Sequence, residues 1–569
     1  MVRVSCKTHT IQVCASVTEP VTGQGNAMLS RIARGTGFVT AIAIAALSSA
    51  QELGTIVFPT SGAPAAQPKF LEGVKALHSF QFDEAALAFR EAQSIDGDFA
   101  LAYWGEAMSF NHPLWAQQDL DAARRVLERL APTPASRIAT AELPTEQAFL
   151  AAADLLFYGA EDKLARDLAY SEAMAAMYER WPDDHKVAAF YALSLLGTVR
   201  AGDGGGFRRQ ALAASIAQRV FDQNPNHPGA AHFIIHAFDD PDHAPLGLPA
   251  ARAYAGIAPA AAHALHMPSH IFVQLGMWED VVRSNVDAYA AAVAVNARLN
   301  LPEGREDFHT LSWLMYGNLM LGRYDDARAN VALARAAAER NPQNAGIRDG
   351  WLAMRGRYLL ETAQWEEIAR DGSAAHADHE GPMPGMPMSQ AGAGAWRFYA
   401  GASAAKRGDA ALAEQFVADF AALREQVAKT SEYNSRGVAI QEKEVAALAK
   451  AARGDMNAAL ALAKEAADLE LTLAAPSGPP ELLKPAQELY GELLLEAGRA
   501  DEALAAFERS LLRTPRRTPS LLGLARAASM EGETDLATAT YAALRDMNGA
   551  APQSPAVDEA TKWLARQAE

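Results

Sequence analysis

Apolar residues return at spacings of three and four along most of the chain, the pattern of helices with one buried face. The stretch "LYGELLLEAGRADEALAAFERSLLRTP" (489–515) shows the grammar. An apolar run stops at Gly498, Ala503 follows five residues later, and Phe507 falls one turn further on the same face. The next stretch, "LLGLARAASMEGETDLATATYAALRDM", repeats it with Gly532, Ala537 and Tyr541, each 34 residues on. Two helices per repeat are predicted, closed by a glycine turn and packed closely through the small residue.

The same punctuation runs backwards through Gly454, Gly408, Ala363, Gly322 and Gly276, at spacings of 41 to 46 residues. Near the start, "SFQFDEAALAFREAQSIDGDFALAYWGEAM" carries Ala85 and Phe89 in the small and aromatic places. The 34-residue period, with Pro515 ending its repeat, resembles the tetratricopeptide repeat, and the resemblance covers most of residues 68 to 560. It implies an all-α solenoid of antiparallel helix pairs, each repeat packing on its sequence neighbours. It also implies a concave groove lined by positions 2, 5, 9, 12 and 13 of each first helix.

The expected segments are helical repeats at 68–225, a histidine-rich set at 226–370, and C-terminal repeats at 395–565. Residues 131–146, with three prolines, read as a loop, and 371–394 read as a Gly/Pro/Met-rich excursion. Residues 1–50 read as non-mature: an over-extended start at 1–27, then a signal peptide at 28–50. Arg31 and Arg34 precede the apolar run Phe38–Leu47, and small residues end at Ala50. Export, most simply to the periplasm, is the expectation, with no membrane span left after processing.

Half of the residues are hydrophobic and only 8% aromatic, with Ala leading, which suits helices better than sheets. The net charge of −17 and the lack of a basic run argue against nucleic acid as a partner. Both cysteines, Cys6 and Cys14, lie in the segment read as discarded. Metal ligands would therefore come from His, Met and carboxylates.

Those ligands are concentrated. Seven of the thirteen histidines after residue 50 fall between His227 and His270. "HALHMPSHIFVQLGMWEDVV" carries His263, His266 and His270, which the repeat resemblance, counted from Gly276, assigns to groove positions 2, 5 and 9. "NPNHPGAAHFIIHAFDD" assigns His232, His236, Asp239 and Asp240 in the same way, and the following repeat assigns His309 and Tyr316. His232/His236 and His266/His270 are one helical turn apart, about 5–6 Å between Cβ atoms. Neighbouring helix axes about 8–10 Å apart would let such imidazoles meet at one ion with bonds of about 2.0–2.1 Å. Pro268 leaves a second option: the helix begins there, and His263 and His266 precede it.

His78, Asn111 and His112 are further groove candidates from the N-terminal repeats. "HADHEGPMPGMPM" offers His376, His379, Met383, Met386 and Met388, a soft donor set suited to copper. No phosphate-binding glycine loop, dinucleotide fingerprint, nucleophile elbow or H-E-x-x-H motif occurs, so no nucleotide cofactor is expected. Any chemistry would be the metal's, with Asp239, Asp240 or Glu279 in supporting roles. An all-nitrogen site suits copper or zinc. Two functions follow: a histidine-lined metal site, either binding the ion or using it in catalysis on a small molecule, or a scaffold gripping a peptide or protein partner in its groove.

Overall fold

The computed structural model describes residues 52–200, 205–366, 390–480, 482–548 and 554–568. The Met/His-rich candidates His376, His379, Met383, Met386 and Met388 lie outside the described residues.

The chain is an all-α array of helical hairpins. The first helices are α1 (Gln67–His78), α2 (Phe82–Ile95) and α3 (Ala100–Met108). A two-stranded ribbon follows, β1 (Asn111–His112) on β2 (Gln117–Gln118). Then come α4 (Leu120–Leu130), α5 (Pro134–Ala139), α6 (Pro144–Tyr158), α7 (Lys163–Arg180), α8 (His185–Gly197) and α9 (Arg208–Gln223). The central set is α10 (Pro228–Ala237), α11 (Ala244–Ile257), α12 (Ala262–His266), α13 (Pro268–Gln274) and α14 (Trp278–Leu299). α15 (Glu306–Met320), α16 (Tyr324–Arg340) and α17 (Ala345–Glu361) complete it, and further hairpins run from Gln390–Lys406 to Pro555–Gln567. Among the described residues no helix is long and apolar enough to cross a membrane.

The punctuation read from the sequence is where the chain turns. Gly276, Gly322, Gly408, Gly454, Gly498 and Gly532 all have positive φ, and Ala363 holds the same conformation at φ 54°. In two of the second helices the aromatic residue is a wedge between first helices. Phe507 lies where a Cβ on Gly491 or Gly523 would come within 2.8 or 2.2 Å of its ring, and Phe89 meets Gly73 and Gly105 in the same way.

Three expectations change. Residues 131–146 are not a plain loop: Thr133 caps α5, and Pro134 and Pro144 occupy first-turn positions where a missing N–H costs nothing. Helix Gln390–Lys406 begins inside the segment read as an excursion to 394. The repeats also do not pack on sequence neighbours alone. Trp278 Nε1 donates to the Arg516 carbonyl at 2.9 Å, and Gln274 Nε2 to the Pro476 carbonyl at 2.7 Å. Arg517, fully buried, reaches Glu488 (2.8 Å), Glu361 (2.6 Å) and the Tyr316 hydroxyl (3.2 Å). C-terminal hairpins thus fill the inner side of the central ones, and the histidines sit in an interior rather than an open groove.

Candidate metal centre

Pro268 opens α13, and α12 is a five-residue helix before it. Met267 joins them at helical φ and ψ (−53°, −35°), so His263 and His266 stay helical while the axis is interrupted. α10 supplies His232 and His236, and α15 supplies His309 near its N-terminus. Two triads form. The ligand atoms of His232, His236 and His263 lie within 4.8 Å of one another, as do those of His266, His270 and His309. The triads adjoin, with ring centroids 5.8 Å apart for His236–His270 and 6.2 Å for His263–His266.

Hydrogen bonds at the far side of each ring decide which nitrogen carries the proton. His232 Nδ1 donates to the His78 carbonyl at 2.7 Å, and His263 Nδ1 to Glu306 Oε1 at 3.1 Å. His270 Nδ1 donates to Asp239 Oδ2 at 2.6 Å. His266 Nδ1 meets Asn285 Oδ1 at 2.7 Å, and the Asn285 amide is oriented by its own donation to the Val281 carbonyl at 2.8 Å. Every one of these partners is an acceptor, so each neutral ring keeps its proton on Nδ1 and turns a bare Nε2 inwards. This carbonyl- or carboxylate-anchored imidazole is the arrangement that orients metal-ligating histidines.

The inward nitrogens of the first triad lack protein partners, and those of the second face one another. Among the described residues, Nε2 of His232, His236 and His263 is buried with no hydrogen bond. In the second triad, Nε2 of His266 lies 3.1 Å from that of His270 and 2.9 Å from that of His309. Ligands about 2.0–2.1 Å from a tetrahedral ion stand about 3.3 Å apart, so the spacing fits a shared cation. Each orphaned nitrogen costs about 1–3 kcal/mol. A cation at each focus would recover it.

Protons cannot readily serve as that cation. Burial holds the His232, His236 and His266 rings well below the ordinary imidazole range, and neighbouring imidazoles add to it. His309 keeps an exposed edge, yet desolvation pushes it down to about 4. For Glu306, desolvation raises the carboxyl but is outweighed above all by His263, which donates to it, and the carboxyl lies below the usual range.

Aromatic rings wall the site. Phe80, at φ 53° in the turn after α1, packs on His232 at 4.3 Å and His263 at 5.5 Å. Trp313 packs on His270 at 4.4 Å and His266 at 4.8 Å. A glycine at 478 comes against the Trp313 ring from the loop beyond helix Met456–Glu470.

Of the supporting candidates, Asp239 joins the second triad through His270. Asp240 instead bonds His243 Nδ1 at 2.8 Å, and Glu279 pairs with Arg323, so neither reaches the triads. Tyr316 is not a groove residue: it is buried against Arg517 and Trp278. His78 contributes its carbonyl, while its ring packs on Phe190 and Phe233. Asn111 accepts from Gln118 across the ribbon, and His112 stacks on Phe82 at 3.9 Å. Glu306, Asn285, Trp313 and Phe80 were not anticipated; Glu306 and Trp313 stand one turn either side of His309 on α15, a spacing that could have flagged them, whereas Asn285 and Phe80 reach the triads only through the fold.

No family model matches the sequence, and no curated protein matches it. Several solved structures are similar over most of the chain. Human IFIT1, solved as a dimer with m7Gppp-AAAA, is 11% identical, covering 86% of this chain and 91% of its own, with a TM-score of 0.32. Yeast Tom70 is 12% identical, covering 88% and 95%, with a TM-score of 0.27. The TPR domain of P58(IPK) is 13% identical, covering 83% and 99%, with a TM-score of 0.20. Likenesses of this size carry no argument about function. The chain is a tetratricopeptide-like solenoid of helical hairpins, as its own packing shows.

Proposed function

We propose that this is an exported helical-repeat protein that binds two transition-metal ions, copper or zinc, one in each histidine triad. The supporting observation is the set of inward Nε2 atoms whose protons are committed elsewhere. Three imidazoles per ion leave a coordination position open, the condition for a metal that also meets a small molecule. An all-nitrogen donor set favours copper on affinity order and accepts zinc. Export rests on the signal-like residues 28–50 and is tested by cell fractionation.

The direct experiment is elemental analysis of tag-free protein after loading with Cu(II) or Zn(II) and dialysis. Two ions per chain are expected, one in His232→Ala or His266→Ala, and none in the double variant. Protein that stays metal-free, or whose content ignores both substitutions, ends the proposal. Five of the six histidines are wholly or largely enclosed, which disfavours the alternative in which they contact a peptide or protein partner in an open groove.

A further inference from the structure

A cavity of about 390 Å³ borders the first triad, within the range of small-molecule sites. The turn after α1, the start of α2 and the ribbon contribute Phe80, Phe82 and Trp115 to its lining, and the end of α14 with the turn after it contributes Ala292, Val295 and Leu301. Phe80 and Phe82 stack with centroids 5.3 Å apart, and Trp115 stands edge-on to Phe80 at 5.6 Å. Trp115 is 48% exposed, a large aromatic surface with no structural need to face water.

The polar lining narrows the ligand. Asn296 lines the cavity, and its Nδ2 is buried without a partner among the described residues, so it calls for an acceptor. Asp83 is paired with Arg305 at 2.7 Å, and Glu84 with Arg298. Glu306 lines the cavity too, and among the described residues its carboxylate is hydrogen-bonded to His263 alone. A carboxylate here calls for a donor and repels an anionic ligand. A hydroxyl both accepts from an amide and donates to a carboxylate.

We propose that this cavity binds a neutral monocyclic phenol, its ring on Phe80, Phe82 and Trp115 and its hydroxyl toward Asn296 and Glu306. The proposal deepens the metal-binding reading, because Glu306 is hydrogen-bonded to His263 of the first triad. A phenol donating to Glu306 draws on the carboxylate that polarises His263, so ligand and metal at that triad are coupled.

The test uses p-cresol with the full protein, apo and loaded with Co(II), following heat of binding and the visible cobalt absorption. One p-cresol per chain should bind saturably and perturb the cobalt bands, while benzoate and toluene bind at least tenfold more weakly. Trp115→Ala and Asn296→Leu should each weaken p-cresol at least tenfold with cobalt content unchanged. Benzoate or toluene binding as well as p-cresol overturns the ligand class. Cresol affinity indifferent to both substitutions, or no cresol binding at all, overturns the site. Failure of the metal reading appears separately, as protein that takes up no cobalt.

Discussion

The Nε2 atoms of His266 and His270 face each other at 3.1 Å, while both rings spend their protons on outward acceptors, Asn285 and Asp239. Two lone pairs held that close repel unless a cation stands between them. Metal removal should therefore destabilise the folded chain. At an ion concentration about a thousand times its Kd, one site contributes about 4 kcal/mol. Thermal unfolding with and without chelator should show a clear rise on reloading, and His270→Ala should lose a large share of it. Identical curves for stripped and loaded protein would count against metal binding.

Acid should destabilise the metal-stripped protein, and His227 isolates part of that effect. Burial, with a contribution from His185, pushes its ring down to about 4. Its Nδ1 accepts from the Ala230 amide at 3.1 Å, capping α10, which requires a bare nitrogen. An unfolded histidine titrates near 6.5, so between pH 6.5 and 4 the unfolded chain binds a proton that the folded chain refuses. This contribution is fully present above pH 6.5 and is lost as pH falls towards 4, up to about 3 kcal/mol. His227→Asn keeps a capping acceptor without the titration. Its stability should fall less steeply over that window, and an unchanged slope would refute the assignment.

Arg517 closes the array upon itself. Its guanidinium sits between Glu488 and Glu361, the latter 156 residues away in sequence. Desolvation would raise the Glu488 carboxyl, but Arg517 and then Lys484 pull it down to about 2. Arg517→Met leaves Glu361 without its buried cation, at a cost of about 3–5 kcal/mol. Hydrogen exchange should show lost protection in helix Thr518–Glu531 and in α17 together. Loss confined to one of them would mean that the contact is incidental.

The Phe507 wedge tests the repeat packing. Gly523→Ala places a methyl 2.2 Å from the ring, an overpacking expected to cost about 1–3 kcal/mol. Phe507→Leu should relieve part of that penalty in the double variant, a coupling read by a double-mutant cycle on chemical denaturation. Gly532→Ala has no neighbour within 4 Å and should show only the strain of its φ of 78°, with no coupling to residue 507.

Legibility in the sequence followed locality. Gly498, Gly532, Phe507 and the H-x-x-x-H pairs are signals within one or two turns, and they stand where the pattern places them. The six clustered histidines were reachable because the repeat period aligns neighbouring hairpins. Glu306 lies 43 residues from His263 and Asn285 19 from His266, pairings that no local spacing encodes. Tyr316 was misplaced for a related reason. A groove position faces an open hollow only if nothing fills it, and here Arg516 and Arg517 do.

Asp239 offers the sharpest test of how the second triad is held ready. Its Oδ2 accepts from His270 Nδ1 at 2.6 Å, and its Oδ1 accepts from Gln274 Nε2 at 3.3 Å. Gln274 is itself anchored to the Pro476 carbonyl at 2.7 Å. In Asp239→Asn the amide must give its single oxygen to one of these donors. With Gln274 fixed by the loop, the oxygen stays there, and the NH2 group turns to His270 Nδ1. That ring then accepts at Nδ1 and carries its proton on Nε2, where the metal would bind. Affinity at the second triad should fall about 10- to 100-fold, while the first triad is untouched. A Co(II) titration should split into one tight and one weakened equivalent. Two tight equivalents would show that the Asp239 contact does not set the tautomer.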